Sequence, residues 1–189
     1  SGTEKYDGTE KTVTGYTVAI SNPLYTEADF TFSGDATVKG TNAGTYDMEL
    51  KPADFANTND NFSNVEFVIV DGTLTITKRA VTLTSADASK VYDGTALTND
   101  TVTVTGDGWA AGEGASYDVT GTQTEVGSSD NSFSYTLNAG TLAENYDITK
   151  TEGTLTVTAL TDKVTVTITE NSGTEKYDGT EKTVTGYTV

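Results

Sequence analysis

"DGTLTIT" at residues 71–77 and "EGTLTVT" at 152–158 share one pattern: an acid, a glycine, then threonine alternating with aliphatic residues. Period two is the spacing of a strand with one buried face and one wet face. Leu74, Ile76, Leu155 and Val157 are therefore expected inward, with Thr73, Thr75, Thr154 and Thr156 outward. "VTVTG" at 102–106 and "VTVTIT" at 164–169 alternate in the same way. Threonine suits the wet face because its β-branch favours extended backbone while its hydroxyl stays hydrated. No long segment has a helical period. The best helical candidate, "KPADFANTND" at 51–60, has room for one turn after Pro52. The expected fold class is all-β.

The same two stretches belong to a repeat. "KYDGT" at 5–9 returns as "KVYDGT" at 90–95 and "KYDGT" at 176–180. Aligning Gly72 with Gly153 pairs Asn64 with Asn145, Phe67 with Ile148, Leu74 with Leu155 and Ile76 with Val157. A longer repeat lies over this one, because residues 172–189 are identical to residues 1–18. The expected organisation is a first β-sandwich module at 1–78, a second at 79–160, and the start of a third at 161–189. Each module has about seven short strands with turn residues between them. Lys78 and Arg79 leave almost no linker between the first two, so a semi-rigid rod is expected. Near-identity at this spacing points to a tandem array in which two modules form the repeating unit. The second module opens with "AVTLTS" at 80–85 before its YDGT, and the third with "DKVTVTITEN" at 162–171. The first has no such strand ahead of its own. Head-to-tail strand exchange between neighbouring copies is therefore expected, with residues 163–169 as the donor.

Composition removes several chemistries. The formal charge is -17, from 28 acidic and 11 basic residues, which disfavours nucleic acid and anionic membrane as partners. There is no cysteine and no histidine. Thiol catalysis, Ser-His-Asp triads and Cys/His zinc sites are unavailable. In so acidic a chain no carboxylate pair stands out as a catalytic dyad. The expectation is a non-enzymatic protein with no catalytic, cofactor or metal site.

Three motifs call for an assignment. In YDGT, Asp7–Gly8 and Asp93–Gly94 supply the backbone angles of a tight turn, and Tyr6 and Tyr92 can cover a sandwich end. A ligand-contacting tyrosine is the alternative. In "NAGTY" at 42–46, Tyr46 is placed to tie a corner to nearby backbone, with Tyr135 as a weaker counterpart in the second module. Trp109, in "GDGWAAGEG" at 106–114, is the one tryptophan. It either contacts a ligand or caps the second core and its neighbour. The acids and amides of "NTNDN" at 57–61 offer oxygens to calcium, without EF-hand spacing. Lys90 and Lys163 are the candidates for a Lys–Asn isopeptide crosslink.

"KVYDGT", "NAGTY", "EVGSSDNSFSYTLNAGTLAENYDI" at 125–148 and the "DGTLTIT/EGTLTVT" pair resemble the MBG and YDG-type repeats of bacterial surface proteins. The resemblance implies tandem Ig-like antiparallel β-sandwich modules in large secreted or wall-attached proteins, often adhesins. It carries no catalytic residues onto this chain. The role it implies is a stalk at the bacterial cell surface or cell wall that projects a distal adhesive region. The alternative is that the repeats themselves bind host glycan or protein, gaining avidity from copy number.

Overall fold

Alternating threonine and aliphatic residues form the middle strand of a three-stranded sheet in each unit. In the computed structural model, which describes all 189 residues, the first unit holds seven strands. They are β1 (Gly2–Lys5), β2 (Lys11–Thr14), β3 (Phe30–Phe32), β4 (Thr37–Gly40), β5 (Gly44–Asp47), β6 (Phe55–Asn57) and β7 (Thr73–Thr77). The second holds eight: β8 (Arg79–Ser85), β9 (Ala88–Val91), β10 (Val102–Gly106), β11 (Ala115–Val119), β12 (Gly127–Asn131), β13 (Phe133–Leu137), β14 (Tyr146–Thr151) and β15 (Gly153–Thr158). Each set pairs only within itself. The chain is all-β, built of small sheets consistent with β-sandwiches. The turn after Pro52 is a single 3-10 turn, Pro52–Asp54.

The two central sheets correspond residue for residue. In the first, β7 lies between β1 and β5; in the second, β15 lies between β9 and β12. Leu74 pairs with Gly2 as Leu155 pairs with Ala88. Tyr6 N–H donates to Thr77 O and Tyr92 N–H to Thr158 O, so the two tyrosines occupy one topological position. The alternation has the expected sense. Leu74, Ile76, Leu155 and Val157 are buried, and the intervening threonines reach the surface.

Three details differ from expectation. The sheets are mixed rather than purely antiparallel, since β1–β7, β9–β15 and β8–β14 are parallel ladders. In each ladder the partners come from opposite ends of a unit, so the chain between them makes the crossover that parallel pairing requires. Strand β12 is the polar run "GSSDN" rather than a threonine–aliphatic alternation. Tyr135 is not the counterpart of Tyr46. Register places Ser129 there, opposite Leu155 as Tyr46 is opposite Leu74, while Tyr135 pairs with Tyr117.

Tyr46 itself behaves as the corner motif implies. Its hydroxyl donates to Asn42 O at 2.9 Å, four residues upstream, and its ring lies over Gly40, where a Cβ would meet it. Tyr46→Phe is expected to lower stability by about 1 kcal/mol, the usual net value of one hydrogen bond. Urea titration of wild type and variant measures it.

The second unit has a sheet for which residues 1–78 form no counterpart. In the second, β8 sits between β10 and β14. The corresponding flanks of the first unit, residues 16–20 and 65–70, form no strand and no backbone–backbone hydrogen bond. Residues 159–189 make no hydrogen bond or ion pair to either unit. They close on themselves through β16 (Thr169–Glu170) and β17 (Tyr187–Thr188), and every residue from 159 onward is exposed. In the single chain, Val164, Val166 and Ile168 are therefore unpaired and exposed, and the tail does not fold back onto either unit.

Candidate functional site

Only Lys78 separates β7 from β8, and the two units share a core at that point. One buried apolar cluster contains Tyr6, Leu74 and Ile76 from the first unit with Val81, Leu83, Phe133 and Tyr146 from the second. At its centre, the Tyr6 and Tyr146 rings meet edge to face, 5.6 Å apart. Glu113 bridges them. Tyr146 Oη donates to Glu113 Oε2 at 2.7 Å, and Tyr6 Oη donates to the other carboxylate oxygen. Ala110 N–H donates to Tyr146 Oη at 3.0 Å. Burial and then the Glu113 hydrogen bond push the Tyr6 hydroxyl up to about 12. Burial, opposed by the Ala110 N–H and reinforced by Glu113, likewise brings Tyr146 up to about 12. Both groups are neutral at physiological pH, as a buried hydrogen-bond donor must be to serve a carboxylate.

Polar contacts surround this centre. The Arg79 guanidinium donates to Gly108 O at 2.7 Å, Asp107 O at 2.6 Å and Tyr6 O at 3.3 Å, spanning the boundary with one planar fork. Lys5 and Asp107 form a 2.6 Å ion pair across the same boundary. That lysine, followed by the Ala80 N–H, holds the Asp107 carboxyl below its ordinary value. On the far side, fully buried Asn145 accepts from Ala43 N–H at 2.7 Å and donates to Asn42 Oδ1 at 3.1 Å. The residues before the Tyr46 corner thus dock the second unit.

The motif residues divide by this geometry. Asp7, Asp93 and Asp178 each accept from the N–H and hydroxyl of the threonine two residues on, and each is paired with a lysine. The lysine is the main cause that holds all three carboxyls low. The intervening Gly8, Gly94 and Gly179 have φ of 84°, 78° and 79°, which L side chains adopt at a cost. YDGT is therefore one turn, built three times. Its tyrosine is not fixed by the turn: Tyr6 is 4% exposed in the joint, whereas Tyr177 in the tail is 96% exposed. Trp109 is part of the joint. It lies edge-on to Tyr146 at 4.9 Å, and its indole N–H donates to Tyr117 Oη at 3.3 Å.

Sequence reasoning missed Glu113, Arg79 and Tyr146 as partners of Tyr6. Only the two-unit composition of the joint, with no local pattern, connects them. Two of the amide oxygens of "NTNDN" are engaged internally: Asn57 Oδ1 accepts from Tyr25 Oη and Asn59 N–H, and Asn59 Oδ1 accepts from Asn61 N–H. No three acids converge on a point. A chelator is expected to leave the thermal midpoint unchanged, because an ion bound only to the native state would otherwise have raised it. A calorimetric scan with and without EDTA measures this. Lys90 Nζ contacts Asp93 and Thr95 rather than an asparagine.

This arrangement defines a class: tandem all-β repeat modules with a cored joint. Residues 1–78 match the model of the MBG domain, which is consistent with an MBG-type repeat domain in the first unit. No curated protein and no solved structure matches the chain.

Proposed function

We propose that this chain is a non-enzymatic spacer, a run of repeat modules that projects the distal adhesive region of a bacterial surface protein. The observation that carries the proposal is the joint. Two units connected by one residue share buried Tyr6 and Tyr146 on a common carboxylate, and Arg79, held by Gly108 O and Asp107 O in its own unit, reaches Tyr6 O across the boundary. A flexible tether would bury little there; a stalk needs a fixed angle between modules. The -17 charge suits an extended array that repels its neighbours, and the MBG match supports a repeat domain of surface-type proteins. The corresponding location is outside the cell, at the bacterial surface or wall.

Residual dipolar couplings test the role directly. The two units are expected to share one alignment tensor. Independent tensors would overturn the rigid spacer. Saturable binding on a glycan or host-protein array would favour repeats that adhere themselves.

A further inference from the structure

The first unit carries an open groove of about 430 Å³. One wall is formed by residues 16–20 and the other by residues 65–70. Among its lining residues, Tyr16 meets Phe55 edge to face at 5.3 Å and Phe67 stacks on Phe55 at 5.6 Å. Along the second wall, Val65, Phe67 and Ile69 are half-buried while Glu66, Val68 and Val70 are exposed. That is the alternation of a strand, in a segment that pairs with nothing. Two segments without backbone partners thus line one largely apolar groove.

The second unit is the occupied version of this groove. There β8 fills the gap, antiparallel to β10 and parallel to β14, and buries Val81 and Leu83. We propose that the groove of the first unit takes residues 164–169 of a second copy of this chain as its missing strand. Val81 and Leu83 stand eleven and nine residues before Tyr92, and Val166 and Ile168 stand eleven and nine before Tyr177. No gap is needed. Transferring the β8 register sets Val166 opposite Phe67 and Ile20, and Ile168 opposite Ile69 and Val18. The threonines between face solvent, as Thr82 and Thr84 do on β8. The strand ends at Thr169, because Glu170 stands at the position of buried Ser85.

The donor is available. Val164, Val166 and Ile168 are 78%, 64% and 60% exposed, and no hydrogen bond ties residues 159–168 to either unit. Docking disturbs only Thr169 of the two-residue ladder in the tail. Donor and acceptor are different surfaces at opposite ends of the chain. The contact is therefore heterologous, each copy offers one of each, and association proceeds head to tail. The inference does not depend on the surface setting or on the spacer role.

Sedimentation velocity over a rising concentration series tests it on the full chain. The wild type is expected to grow from monomer to linear oligomers. The V166D/I168D variant is expected to stay monomeric and folded, since both side chains touch neither unit and an aspartate cannot be buried in an apolar groove. A labelled peptide of residues 161–171 is expected to bind the V166D/I168D chain saturably and to cap wild-type growth. The peptide carrying both aspartates should bind about 100-fold more weakly. Hydrogen exchange should slow at residues 65–70 on association. A wild type that stays monomeric overturns the proposal. So does association that V166D/I168D leaves intact, or protection of 65–70 that appears without association.

Discussion

Glu113→Ala is expected to cost about 3 kcal/mol and to uncouple the two units. The glutamate accepts from Tyr6 Oη and Tyr146 Oη, and both tyrosines are buried, at 4% and 3% exposed. Removing the acceptor leaves two hydroxyls without a place for their protons. A buried donor left unmade costs about 1–3 kcal/mol, more than the net worth of the bond when formed. Tyr146 keeps one contact, because its oxygen still accepts from Ala110 N–H. Tyr6 likewise keeps the Asn145 amide beside its oxygen, so both hydroxyls lose their acceptor and the cost falls on both sides of the joint. Glu113→Gln is expected to fall between wild type and alanine, since its carbonyl still serves one tyrosine. Calorimetry separates stability from coupling. The wild type should unfold in a single transition through its shared core, and Glu113→Ala in two. A variant that loses stability but keeps one transition would place the coupling elsewhere, with Arg79 next in line.

How far this was legible in the sequence depends on the kind of interaction. Leu74, Ile76, Leu155 and Val157 were readable because period-two burial is written locally, one residue after another. YDGT was readable as a turn because the aspartate, glycine and threonine that make it are adjacent. Strand β12 was not, because its "GSSDN" carries no aliphatic alternation. Its inner residue is Asn131, fully buried and held by hydrogen bonds to Ala86 O and Asn99 O rather than by apolar contact. The joint was not readable either. Tyr6 and Glu113 are 107 residues apart, and an identical motif elsewhere leaves Tyr177 in solvent. Local sequence specifies the turn, and the neighbouring unit decides what its tyrosine does. The missing strand was visible from the repeat alone; the walls left facing the gap, 16–20 and 65–70, needed the fold.

Raising the pH through 10 to 12 is expected to release the joint. Tyr6 and Tyr146 both stand at about 12, against an ordinary value of 10.0. Across that window the unfolded chain gives up these protons while the folded chain retains them. The native state then binds more protons, and stability falls as pH rises. The contribution is fully present below 10 and is lost as pH passes the folded values. At about 1.4 kcal/mol for each unit of pKa, one tyrosine accounts for about 3 kcal/mol. The second adds less than the same again, because the two share Glu113 and their protons leave as a coupled pair. Tyr25, raised by burial and by Asp29, contributes to the same slope from within the first unit. Comparison with Tyr6→Phe and Tyr146→Phe isolates the joint, since each keeps the ring and removes one proton. Urea titrations at pH 9, 10 and 11 are expected to show a steep decline for the wild type and a shallower one for either variant. Equal slopes in all three would mean that the tyrosine hydroxyls are not protected in the joint.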